Sequence, residues 1–164
     1  MRLLALDVGD ARIGVAVSDA TGFLASPYIT LYVSRDESQT WVAIQRVIDE
    51  TEAEALVIGL PISLDGQMHA QGQRVLSFAE RLRPHIAIPL TFWDERLSTV
   101  EAERLLAQRN QDEWGGRQKR QRRTDRRSTA TKRRQKGQQI DAYAAAVILQ
   151  DYLDHLGSNK EEKI

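Results

Sequence analysis

A chain of 164 residues is the size of one domain, and at 41% hydrophobic residues it can bury a substantial core. Its longest apolar runs fall far short of a membrane span, no secretory or transit pattern precedes the first strand, and the lack of cysteine excludes disulfides and thiolate metal sites and fits a reducing cytoplasm. The formal charge of zero conceals a segregation: Gly115 to Gly137 holds 11 of the 23 Lys and Arg but one acid, Asp125, leaving 12 basic against 22 acidic residues elsewhere, so an acidic body bears one basic segment suited to a polyanionic partner.

The stretch Leu3 to Asp19, LLALDVGDARIGVAVSD, opens the chain as a hairpin. Leu3 to Leu6 reads as a strand covered on both faces and Arg12 to Ser18 as a second, joined through Gly9-Asp10-Ala11, with Asp7 at the mouth. A carboxylate ending a core strand is costly unless a cation, a donor or water stabilises it, so Asp7 is either a satisfied turn acid or a ligand. Gly9 and Gly14 leave backbone open to close approach. Ser26 to Val33 reads as a third strand. Asp36 to Thr51 reads as a helix carrying Trp41, Ile44 and Ile48 on one face, with Ser34 and Glu37 at capping-box spacing.

Ala55 to Ile58 is a short buried strand stopped by Gly59-Leu60-Pro61. A helix over His69 to Arg83 follows, its stripe Val75, Phe78, Ala79 and Leu82, ending before Pro84. Ile86 to Trp93 is the fifth strand and runs into Asp94-Glu95-Arg96. The spacing then predicts a helix from Ser98, with Ala102, Leu105 and Leu106 inward. From about 110 to 138 apolar periodicity disappears in a basic, Gln-rich insertion expected to be mobile. The last helix is expected from about Gln139, burying Ile140, Ala144, Val147 and Ile148, and ending at Gly157. Residues 1–156 thus form one domain and 157–164 a charged tail. The order implies an α/β fold: a mixed five-stranded sheet in which strands one to three form a meander, strands one, four and five run parallel, and helices cover both faces.

Parallel strands of one sheet share a C-terminal edge, outside which ligands of open α/β sheets sit. Asp7 closes strand one, Gly59-Leu60-Pro61 strand four and Asp94-Glu95 strand five. Asp141, in the first turn of the expected last helix, completes the group if that helix starts at the same edge. Alternation lets one of Asp94 and Glu95 reach inward, and Glu95 is the preferred one. Asp7, Glu95 and Asp141, with Asp94 as a further ligand option, form a hard oxygen site suited to Mg²⁺ or Mn²⁺, ions that activate water and neutralise charge on a phosphodiester. His69, His85 and His155 have no ligand spacing, and Ser63, Ser98 and Thr99 have no evident base.

Four blocks, LLALDVGDARIGVAVSD, VIGLPISLDG, WDERLSTVEAE and IDAYAAAVILQDYLD, resemble in this order the blocks of the YqgF family, whose members are Holliday-junction-resolvase-like and are described as nucleases of the precursor of small-subunit (16S) ribosomal RNA. The resemblance spans nearly all of the chain outside the basic insertion. It implies a ribonuclease H-like fold, with the family's first acid on Asp7, its D-E-R acid on Glu95 beside Asp94, and its late D-A acid on Asp141. Family members commonly have a compact basic stretch before the late acid, similar to Arg117 to Arg120. This chain adds a further run, Arg122 to Lys136.

The implied activity is metal-dependent phosphodiester hydrolysis in ribosome biogenesis, with Holliday junction resolution as the alternative, on structured RNA or branched DNA and in a ribosome-associated or homodimeric state. Two readings compete from other classes. Actin-like ATPases and sugar kinases also open with a hairpin like Asp7 to Gly14, but in far longer, two-domain chains, and a non-catalytic RNA-binding assembly factor would retain the carboxylates without using them. Because the acidic body would repel a phosphate backbone, attraction is assigned to Arg96, Arg117, Lys119, Arg120, Arg122, Arg123, Arg126, Arg127, Lys132, Arg133, Arg134 and Lys136, meeting phosphates rather than reading bases.

Overall fold

In the first strand Leu4 and Leu6 point to one side and Leu3, Ala5 and Asp7 to the other, and that parity organises the molecule. The computed structural model describes residues 1–61, 68–94 and 129–161, with side chains of the last segment described from 141 to 158. Strands β1 (Leu3–Val8), β2 (Arg12–Ser18) and β3 (Ala25–Tyr32) form the antiparallel meander, and β4 (Ala55–Leu60) and β5 (Leu90–Asp94) join parallel to β1. The sheet order is β3-β2-β1-β4-β5, and it contains the meander and the parallel strands one, four and five expected from the sequence.

Helices α1 (Glu37–Thr51) and α2 (Ala70–Leu82) cover one face. There Leu4, Leu6, Ile13, Val15, Leu56 and Ile58 of the sheet meet Ile44, Val47 and Ile48 of α1 and Val75, Phe78, Ala79 and Leu82 of α2. Each fully buried aliphatic side chain of this kind contributes about 1.5–3 kcal/mol, so this branched-chain layer is the main core. Among the described residues, the opposite face is covered by the helix α3 (Thr129–Glu161). Its layer is thin: Ala5, Ala16 and Ala25 face Ala145 and Ala146, with Leu149 and Leu153 packing nearer the helix end. Small residues on both sides let helix and sheet backbones approach closely.

Three boundaries differ from the sequence expectation. Strand β5 starts at Leu90 rather than Ile86, because Pro89 has no N–H to give the ladder and its carbonyl instead accepts from Leu56 N at 2.9 Å. Helix α1 is capped by Asp36, whose carboxylate accepts from Ser38 N at 3.1 Å, rather than by a Ser34 box. Helix α3 starts at Thr129, ten residues before the expected Gln139, and runs past Gly157 to Glu161. Residues 129–138 of the basic insertion are therefore helical. The helix expected from Ser98, and insertion residues 110–128, lie outside the described residues.

One close approach fixes α3 on the sheet. Gly14 of β2 pairs with Asp7 of β1, and a Cβ built on Gly14 would lie 1.9 Å from the backbone oxygen of Asp141. Neither the strand nor the helix backbone can yield that space to a methyl group. Gly14→Ala is therefore expected to destabilise the fold by about 1–3 kcal/mol through forced separation of α3 from β2, read as a lower urea midpoint. An unchanged midpoint would show that α3 does not pack there.

Candidate active site

Asp7 lies half-buried on the α3 face, near the C-terminal end of β1. Its strand partner Gly14 has no side chain, and above that gap passes the backbone of Asp141. The same close approach that fixes α3 thus delivers the Asp141 carboxylate to Asp7. Burial first, and the Asp141 charge second, raise the pKa of Asp7 above its ordinary value.

Arg12, the first residue of β2, faces Asp141 with its Nε 3.0 Å from Oδ2. The contact is a charge approach off the N–H axis: Asp141 Oδ2 is buried yet accepts no hydrogen bond. A buried carboxylate oxygen with a guanidinium to one side and no aligned donor has coordination capacity left over. Nothing in the strand pattern marked Arg12 as part of the site. Its one signal is position, since the residue that closes a hairpin turn stands beside the residue that opens it; Gly9 N bonds Arg12 O at 2.9 Å across that turn.

At the other end of the edge, β5 presents its residues alternately. Leu90 and Phe92 pack with the α1/α2 layer, whereas Trp93 packs with the α3 layer. Asp94, paired in register with Leu60, follows the parity of Phe92 and belongs to the face away from Asp7. Glu95 and Arg96 lie outside the described residues, as do Arg117, Lys119, Arg120, Arg122, Arg123, Arg126 and Arg127. Lys132, Arg133, Arg134 and Lys136 fall on the first turns of α3. Among the described residues, no three His, Cys, Asp or Glu side chains form a metal-holding group; Asp7 and Asp141 are the two acids the fold brings together.

A second anchor aligns β5 with α3. Trp93 Nε1 donates to Asp151 Oδ2 at 2.8 Å, and the indole meets Tyr152 edge-on at 5.4 Å and His155 at 5.1 Å. Asp151 is 4% exposed, so the bond forms in a setting where an absent partner is costly. His155 is thus packed on an aromatic ring, and His85 likewise stacks on Trp41 at 5.5 Å.

Two carboxylates crowded on one face, one of them with a buried open oxygen, fit a hard divalent cation by donor chemistry. With no cation bound, ionised Asp7 is a burden on the fold. Because its folded pKa lies above the ordinary value of 3.8, the protonated form is favoured by folding. That stabilisation is complete below the unfolded value and is lost as pH rises through the folded one. In chelator-treated buffer at neutral pH, Asp7→Asn is expected to melt higher than the wild type, with the difference closing as pH falls below 3.8. A lower melting midpoint for the variant at neutral pH would contradict this electrostatic picture.

Known proteins are similar to nearly the whole of this chain. A family model described as "RuvX: Holliday junction resolvase" matches residues 1–130. A protein of Thermoanaerobacter pseudethanolicus named "Putative pre-16S rRNA nuclease" is 36% identical over 154 residues, covering 94% of this chain and 96% of its own length. One of Roseiflexus sp. with the same name is 39% identical over 153 residues, covering 93% and 94%. Among solved structures, Thermus thermophilus RuvC in complex with a Holliday junction substrate superposes with a TM-score of 0.52 at 14% identity, over 94% of this chain and 96% of that one. At that identity the likeness shows the fold, which is ribonuclease H-like.

Proposed function

The chain belongs to the RuvX family, the YqgF group of the sequence resemblance, and from that premise we propose that it is a divalent-metal-dependent endonuclease that processes the precursor of 16S ribosomal RNA. The observation that carries the reading is the pairing of Asp7 with Asp141, whose buried Oδ2 accepts no hydrogen bond. The names of the full-length relatives favour ribosomal RNA as the substrate. A four-way DNA junction is the second reading, favoured by the description of the family model.

In this proposal Asp7 and Asp141 hold Mg²⁺ or Mn²⁺ together with Glu95. Glu95 follows the last residue of β5, Asp94, and its place in the set rests on the sequence resemblance and on the alternation of side chains expected of an extended strand. Such ions supply Lewis-acid charge to a phosphodiester and acidify water. The chain's own residues prepare the place. Arg12 limits the repulsion between the two acids without saturating Asp141, the Gly14 gap keeps α3 close, and the Trp93–Asp151 bond ties the end of β5 to the same helix.

Arg96 is proposed to steady a phosphate, and the basic segment to supply attraction that a body of net charge −10 cannot. Part of that segment, 129–138, is the beginning of the helix that bears Asp141, which supports a direct path from phosphate binding to the acids. No described helix is long and apolar enough to cross a membrane.

Asp7→Asn, Glu95→Gln and Asp141→Asn are each expected to lower Mg²⁺-dependent cleavage of a labelled 16S precursor fragment by at least about a hundredfold, on the order of 2.7 kcal/mol of barrier. A four-way DNA junction assayed in parallel separates the two substrates. Cleavage by Asp7→Asn at the wild-type rate would overturn the assignment. For the basic segment, changing Arg122, Arg123, Arg126, Arg127, Lys132, Arg133 and Arg134 to Gln should flatten the dependence of log affinity on log salt by roughly 0.7–0.9 for each phosphate that the variant no longer neutralises. Equal slopes for variant and wild type would show that the segment meets no phosphates.

A further inference from the structure

Behind the hairpin turn, on the face opposite Asp7, the structure holds a cavity of about 840 Å³ between the end of β1, the start of α1 and the length of α2. Its walls divide by chemistry. Val8, Val75 and Phe78 give it an apolar floor, and Arg74 and Arg81 stand along one side. These two arginines are seven residues apart on α2, two helical turns or about 10.5 Å along one face. Each guanidinium reaches across to a carboxylate, Arg74 Nη1 to Asp10 Oδ2 at 3.2 Å and Arg81 Nε to Glu37 Oε1 at 2.5 Å.

These ion pairs hold the cavity in an exchangeable state. All four side chains are between 44% and 80% exposed, so each pair is worth little net free energy and an incoming phosphate can replace the carboxylate at small cost. The guanidinium fork suits phosphate oxygens, and an apolar floor suits the face of a heterocycle. A volume of 840 Å³ is within the range of small-ligand sites. The ligand that presents a planar base and a phosphate at once is a nucleotide. Val8 follows Asp7 directly, with Cα atoms about 3.8 Å apart, so the floor of the cavity begins one residue from the proposed catalytic acid.

We propose that this cavity receives an unpaired nucleotide of the nucleic-acid substrate, its base over Val8, Val75 and Phe78 and its phosphate exchanging with Asp10 or Glu37 for Arg74 or Arg81. The proposal rests on the nuclease reading and adds to it a requirement for unpaired substrate. A strand that crosses the Gly9-Asp10 turn from the face of Asp7 enters the cavity within a nucleotide or two. Continuous duplex cannot place a base there without breaking a pair.

The test uses the full chain and a labelled 12-nucleotide RNA in which one abasic nucleotide is moved through every position, with binding read by anisotropy. The wild type should show one or two adjacent positions at which removal of the base weakens binding about tenfold. Gln73→Trp, which puts an indole into the cavity from its rim, should bind the intact RNA more weakly and abolish that position dependence. Arg74→Gln with Arg81→Gln should flatten the salt slope by roughly 0.7 for each phosphate left without its guanidinium. A uniform abasic profile in the wild type, or a Gln73→Trp variant with the wild-type profile, would overturn the proposal. Saturation by free AMP together with a uniform abasic profile would assign the cavity to a free nucleotide and equally overturn it. The melting shift induced by Mn²⁺ reads the Asp7 site separately: its presence alongside a uniform abasic profile would sink the cavity assignment and leave the nuclease reading standing.

Discussion

The architecture depends on a place where a side chain is missing. Gly14 lets the backbone of Asp141 come so near β2 that a methyl group on Gly14 would overlap it, and this approach sets the height of α3 above the sheet. The alanine layer of Ala5, Ala16, Ala25, Ala145 and Ala146 continues that close approach along the helix. Stability comes mainly from the other face, where large aliphatic side chains from the sheet, α1 and α2 interlock. The two faces thus divide the work: one holds the molecule together and the other holds a helix close enough to bring two acids together.

That division explains why the acids can coexist. Asp7 is half-buried beside the charge of Asp141, and both effects disfavour its ionised form. Arg12 Nε comes within 3.0 Å of Asp141 Oδ2 but off the hydrogen-bond axis, so that oxygen accepts no hydrogen bond. A core optimised for stability would fill such a place with apolar groups or a saturated ion pair. An incompletely compensated pair at the C-terminal edge of a parallel sheet is the pattern expected of a site whose remaining positive charge arrives with its ligand.

Much of this is legible in the sequence. Short apolar runs alternating with amphipathic helices announce the meander of β1 to β3 and the parallel sense of β1, β4 and β5, and the end-of-strand position of Asp7 marks the edge. The start of α3 is not legible, because 129–138 consists of Thr, Ala, Lys, Arg, Gln and Gly with no apolar stripe. Its Ala, Lys, Arg and Gln are good helix formers, so local propensity carries a helix that periodicity does not announce. Arg12 and the Trp93–Asp151 bond escape a sequence reading for a different reason. Both join residues distant in sequence, over 129 positions in one case and 58 in the other, and no local pattern encodes such pairs. The cavity behind the hairpin is likewise a property of packed elements, visible only once the end of β1, the start of α1 and α2 stand around one space.

The most direct test of the central claim, that Asp7 and Asp141 form a divalent-cation site, is the anomalous scattering of Mn²⁺ in crystals of the wild-type protein. The account predicts a peak between the two carboxylates, with Glu95 as the third contributor, and its disappearance in Asp7→Asn. Crystals grown in Mn²⁺ sufficient for cleavage with no peak between Asp7 and Asp141, or with the same peak in Asp7→Asn, would contradict it.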